Sequence, residues 1–172
     1  MEIVAVILLV LYVVFRYTWY EGRNAPFVPT EAADVERVMN LAEVGDTDIV
    51  YDLGSGDGRY VMAAGMRGAK AVGIELDLLR VLYSRFWLWV MRLSNHTKII
   101  RDDIFDVDLS EATVVICYLL QETNDKLQEK LIKELKPGTR IVSVAFEFDE
   151  WQVEKIDHRG VIYGPLRLYV NK

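Results

Sequence analysis

The most chemically specific stretch of the chain is Asp52-Leu53-Gly54-Ser55-Gly56-Asp57-Gly58. Glycines at alternate positions permit a tight turn and let a ligand approach the main chain with no Cβ in the way. The run follows an apolar segment of strand type and precedes a helical pattern, which is where a nucleotide-type cofactor loop sits. A dinucleotide fingerprint needs a third glycine five positions after its first, and Arg59 stands there. Asp57 also places negative charge at the end of the next helix that attracts anions, so a pyrophosphate is disfavoured. The loop therefore suits a cofactor without phosphate at this spot. Glu75 closes the next apolar segment, about twenty residues on, where a carboxylate grips ribose hydroxyls. Its plainer reading is a solvated strand end.

These residues need a scaffold. Strand-type segments at 49–53, 71–75, 98–101, 113–118 and 140–146 alternate with helical ones at 59–66, 77–93 and 124–135, the last stopped by Pro137-Gly138. Alternation of this kind predicts an α/β domain, a parallel sheet with helices on both faces. Upstream, Pro26 and Pro29 bracket a short linker. Thr30 then reads as the N-cap of a helix with Glu31 in its first turn and Val35, Val38, Met39 and Ala42 on its apolar face. Two more strand candidates, 152–156 and 166–170, follow the alternating part.

Composition removes other classes. The 172 residues carry 20 Lys+Arg against 26 Asp+Glu, a net charge of −6, which argues against nucleic acid as a partner. One cysteine, Cys117, excludes an intramolecular disulfide framework and a Cys-rich zinc cluster, and two histidines make a His-based metal site a poor reading. No metal is expected.

The N-terminus predicts something different. Residues 3–15 are apolar without a break, and with Arg16 near the boundary the run extends to 20. As a helix this is about 27 Å long, close to a hydrocarbon core of about 30 Å. Trp19 and Tyr20 would form an interfacial belt, and Arg16 and Arg23 on the C-terminal side would keep the rest of the chain in the cytoplasm. A cleavable signal peptide would want basic residues before the run, where only Met1 and Glu2 stand. The expectation is a single-pass cell-membrane protein: an anchor over 1–22 that inserts through residues 3–20, and one domain over 23–172.

Taken with their flanks, the motifs resemble class I S-adenosylmethionine-dependent methyltransferases, which implies a Rossmann-like sheet and S-adenosyl-L-methionine as cofactor. Four segments narrow the likeness: Pro26-Phe27-Val28-Pro29-Thr30, Val50 through Arg59, Ala71-Val72-Gly73-Ile74-Glu75, and Glu134 through Arg140. They look like archaeal broad-specificity protein lysine methyltransferases. They are also similar to the mitochondrial lysine methyltransferases of the ATP synthase c-subunit and the adenine nucleotide translocase. The resemblance covers residues 26–151. It implies that Gly54, Gly56 and Gly58 shape the loop around the methionine part, with Asp52 ordering it. Glu75 would take the ribose hydroxyls, Asp103 and Ile104 the adenine, and Thr30 and Phe27 would lie near the methionine end. Val144 and Ala145 stand where the archaeal relatives carry a polar His-Glu pair, which leaves substrate range open.

The implied function is a membrane-anchored protein lysine N-methyltransferase, its partner a membrane-associated protein with an accessible lysine. A lysine amine has a reference pKa of about 10.4, so the acceptor site must favour its neutral form, and an aromatic-lined channel would do so by desolvation. Phe27, Tyr118 and Trp151 are the candidates for its wall, each also readable as core packing. No general base is assigned; Glu147 and Asp149 could attract a lysine or simply be solvated. Methylation of a lipid headgroup or small amine, or a non-catalytic cofactor-binding module, are the alternatives. Finally, Phe86-Trp87-Leu88-Trp89-Val90-Met91 cannot all face a sheet, and with Arg80, Arg85 and Arg92 they suit either a bilayer interface or a partner surface.

Overall fold

The computed structural model describes residues 4–12, 28–159 and 164–172. Among them seven strands form one sheet: β1 (Ile49–Leu53), β2 (Lys70–Glu75), β3 (Thr97–Arg101), β4 (Val114–Cys117), β5 (Arg140–Val144), β6 (Lys155–Asp157) and β7 (Leu166–Val170). Their order is β3-β2-β1-β4-β5-β7-β6. The first five run parallel, and β7 pairs antiparallel with both β5 and β6. The helices are α1 (Ala32–Leu41), α2 (Arg59–Met66), α3 (Leu78–Val90) and α4 (Gln121–Glu134).

Period-2 alternation sorts the strand side chains into two layers. On one face Val50, Ile99 and Ile116 meet Val38 and Met39 of α1, Val61 and Ala64 of α2, and Val81 and Leu88 of α3. On the other, Tyr51, Ile74, Val115 and Ile141 meet Leu127 and Leu131 of α4. Both faces are covered, so the central strands are buried nearly throughout; all four residues of β4 are apolar and buried. Strand order reverses between β1 and β4, which opens a crevice beyond their carboxyl ends.

Three expectations change. The expected transmembrane helix is not found among the described residues. Of the expected span 3–20, residues 4–12 are described and are helical, and 13–20 lie outside the described residues. No helix among the described residues is long and apolar enough to cross a membrane. The single-pass membrane placement, with its cytoplasmic domain, loses its support with it. Thr30 is not the N-cap of α1; Glu31 is, with extended backbone, and no side chain caps this end. β5 stops at Val144 because Ala145 takes φ +71° and Phe146 N–H turns back to Val144 O at 2.9 Å, a γ-turn that leaves the ladder. Residues 13–27, including Phe27, Trp19 and Tyr20, lie outside the described residues.

Candidate active site

The glycine loop sits at the crevice. Gly54, Gly56 and Gly58 all have positive φ (+81°, +54° and +79°). Gly54 and Gly58 are also crowded: a Cβ at Gly54 would meet Leu119 Cδ2 at 2.9 Å, and one at Gly58 would meet Ser84 Cβ at 2.9 Å. The turn is held from its neighbours. Gly54 and Ser55 N–H groups both donate to Ile74 O, at 3.0 and 2.8 Å, and Ser84 Oγ of α3 donates to Gly56 O at 3.0 Å.

Glu75 is buried, not a solvated strand end. Its Oε2 accepts from Gly56 N at 2.9 Å and its Oε1 from Asp77 N at 2.9 Å, with Arg80 Nη1 3.7 Å from Oε1. Each carboxylate oxygen has a second lone pair, so capacity for two hydroxyl donors remains.

Asp52 lies under the loop, almost wholly buried, and its Oδ2 has no hydrogen-bond partner; the Oγ of buried Ser55 is likewise unpartnered. Burial pushes the Asp52 carboxyl well above the usual carboxylate range, the charges of Asp57 and Glu75 push the same way, and Arg59 pulls it down. A buried, uncompensated acceptor is costly until a donor or cation reaches it. This set fits S-adenosylmethionine, whose methionine end is cationic and whose ribose offers two donors. Three buried carboxylates, Asp52, Asp57 and Glu75, disfavour a pyrophosphate there.

A strap crosses the loop's far side. Arg59 donates through Nε to Asp57 Oδ1 at 2.8 Å, pairs with Asp57 Oδ2 through Nη2, and reaches Thr30 O through Nη1. Buried Tyr60 donates its hydroxyl to Thr30 Oγ1 at 3.1 Å. Thr30 is thus brought to the first turn of α2. Arg59, which spoils the dinucleotide fingerprint, ties the segment before α1 to the cofactor loop. Neither Arg59 nor Tyr60 was legible as a site residue, because their partner lies some thirty positions earlier and only the fold brings it near. Ser84, whose hydroxyl bonds Gly56 O 28 positions earlier, was missed for the same reason.

The remaining candidates divide. Asp103 and Ile104 follow β3, whose Arg101 is in register with Glu75. Asp103 Oδ1 accepts from Phe105 N at 3.0 Å, and Ile104 is partly buried against the α4-side core. Tyr118, just past β4, packs with the α1–α3 layer. Trp151 packs with the opposite layer, its ring 5.4 Å from Phe148 and 6.2 Å from Tyr169. Tyr118 and Trp151 thus pack against different layers of the core. Cys117 is buried and its thiol pushed up, hence inert. Glu147 is tethered: its N–H and C=O bond the Gln121 side chain at 3.2 and 3.1 Å, and its carboxylate pairs with Arg167.

Comparison with known proteins agrees with this geometry. The profile of the ANTKMT methyltransferase domain matches residues 52–155. A protein-lysine N-methyltransferase of Saccharolobus islandicus is 41% identical over 135 residues, covering 77% of this chain and 84% of that protein. The lysine N-methyltransferase of the ATP synthase c-subunit from Xenopus laevis is 35% identical over 136 residues, and the match spans 79% of this chain but only 60% of that protein. Among solved structures, an RNA methyltransferase from Salinibacter ruber in complex with S-adenosyl-L-homocysteine superposes with a TM-score of 0.79 at 37% identity, over 84% of this chain and 94% of that one.

Proposed function

The chain belongs to the ANTKMT methyltransferase domain family and is an S-adenosylmethionine-dependent methyltransferase, and from that premise we propose that it methylates lysine side chains of proteins. The observation that carries the acceptor is the 41% identity to the archaeal protein-lysine N-methyltransferase, spread over most of both chains. The catalytic unit is residues 23–172.

Bound in the crevice, the cofactor supplies an activated methyl group on a sulfonium. Asp52, Gly54, Gly56, Gly58 and Thr30 hold its methionine end, Glu75 its ribose, and Asp103 with Ile104 its adenine. The unpartnered Asp52 oxygen supports the first assignment and buried Glu75 the second. Tyr118, at the carboxyl end of β4 beside the loop, lines the acceptor side, where half-buried aromatic surroundings favour a neutral amine by desolvation. The chain provides positioning and water exclusion, and no protein base is assigned. Trp151 and Phe27 are not needed for this reading.

Incubation with methyl-labelled S-adenosylmethionine and a cell extract tests the proposal. Label that survives nuclease and lipid extraction but not protease, and that is lost with Asp52→Ala, is the expected result. Label in RNA, lipid or small amines overturns it.

A further inference from the structure

The helix that contacts β2 and β3 carries a surface the methyl-transfer chemistry does not use. Arg80, Val81, Ser84 and Leu88 are the buried positions of α3. Its opposite side presents Leu82, Tyr83, Phe86, Trp87, Trp89 and Val90, with Phe86 54% and Trp89 69% exposed. The rings pack on one another, Phe86 against Trp87 at 5.6 Å and against Trp89 at 6.2 Å. Contiguous apolar exposure of this kind marks an interaction surface.

Charge identifies what it faces. Residues 78–101 contain Arg80, Arg85, Arg92, Lys98 and Arg101 and no Asp or Glu, in a chain whose net charge is −6. Arg80 pairs with Glu75, but Arg85, Arg92 and Arg101 form no ion pair among the described residues, whereas Arg37, Arg59, Arg67, Arg140, Arg159 and Arg167 all do. Arg85 donates to Ile99 O at 2.9 and 2.7 Å, tying α3 to edge strand β3, and Arg101 donates to Leu76 O, just before α3, at 3.0 Å. Exposed indoles and phenyls bordered by arginines without carboxylate partners match the acyl boundary and phosphates of an anionic bilayer. A second copy on a two-fold axis would set these cations against themselves.

We propose that the α3–β3 face seats on an anionic lipid surface, lying in the interface without crossing it. The test is sedimentation of the full chain with phosphatidylglycerol or phosphatidylcholine vesicles. Residues 4–12 stay in place throughout, so the difference between parent and variant reads α3 alone. Preferential binding to phosphatidylglycerol that weakens with salt is expected. Phe86→Ser/Trp89→Ser should weaken it about tenfold or more and Arg92→Glu about fivefold, with S-adenosylmethionine affinity unchanged as the control for folding. Parent-like binding by both variants, equal binding to the two lipids, or no vesicle binding overturns the proposal. So does a self-association in the absence of vesicles that the double variant abolishes.

Discussion

Gly56 donates its N–H to Glu75 Oε2 across 2.9 Å, so the carboxylate assigned to the ribose also braces the loop assigned to the methionine end. Asp77 N–H occupies the other oxygen. An amide at this position offers one acceptor oxygen to two fixed backbone donors. Glu75→Gln is therefore expected to cost about 1–3 kcal/mol of stability and to weaken S-adenosylmethionine binding about 10- to 100-fold. Chemical denaturation and calorimetric titration measure the two; a change in affinity with no change in stability would show that the brace contributes nothing.

Asp52 gives a pH-dependent prediction. Its folded-state pKa is raised by burial and by Asp57 and Glu75, so the folded chain keeps this proton to higher pH than the unfolded one. The associated stability is fully present below the ordinary carboxyl pKa of about 4 and is lost as pH rises through the raised value. Asp52→Asn avoids that loss. Without cofactor the variant should melt higher than the parent above about pH 7, with the difference closing toward pH 4. Cofactor affinity should fall in the parent as pH drops through the raised pKa and stay flat in the variant. A parent affinity independent of pH would contradict the assignment.

Arg59 holds Asp57 through two nitrogens and Thr30 O through the third. A lysine has one charged nitrogen and no fork, so Arg59→Lys cannot restore both partners. Both Arg59→Lys and Arg59→Gln should raise KM for S-adenosylmethionine, by about 10-fold for one lost charged hydrogen bond, with a smaller change in kcat. Tyr60→Phe removes only the bond to Thr30 Oγ1 and should cost about 1 kcal/mol of stability. Steady-state kinetics separates strap anchoring from general unfolding.

Tyr118 and Trp151 lie on opposite layers of the sheet, and their variants should separate accordingly. Trp151→Ala strips a ring from Phe148 and Tyr169 and should lose about 2–4 kcal/mol of stability, with kcat largely kept in the folded fraction. Tyr118→Ala should lower kcat/KM for the protein acceptor while leaving cofactor affinity near the parent value. Equal kinetic losses in both would place Trp151 in the acceptor wall.

Much of this was legible in the chain itself. β1, α2 and β7 follow their patterns to the residue, because apolar runs bounded by Gly and Asp leave little choice of element. The glycine loop and Glu75 were legible because backbone conformation and charge at a strand end are local properties. What failed was not local. The apolar run at 3–20 satisfies a length rule, yet no helix among the described residues is long and apolar enough to cross a membrane. Thr30 has the side chain of an N-cap, but Tyr60 claims it through a tertiary contact. The strand pattern of β5 runs two residues past its real end, because the close approach of Gly164 to Ala145, where a Cβ would meet Ala145 Cα at 2.9 Å, comes from another part of the chain. Trp151 and Tyr118 both sit near strand ends, and no periodicity tells which layer each will join.

The central claim is tested most directly by mass spectrometry of proteins recovered after methyl transfer from labelled S-adenosylmethionine by the full chain. Methylated lysine on discrete proteins, absent with Asp52→Ala and strongly reduced with Glu75→Gln, is the predicted result. Transfer confined to RNA or lipid, with protein lysines unmodified while cofactor binding is intact, would contradict it.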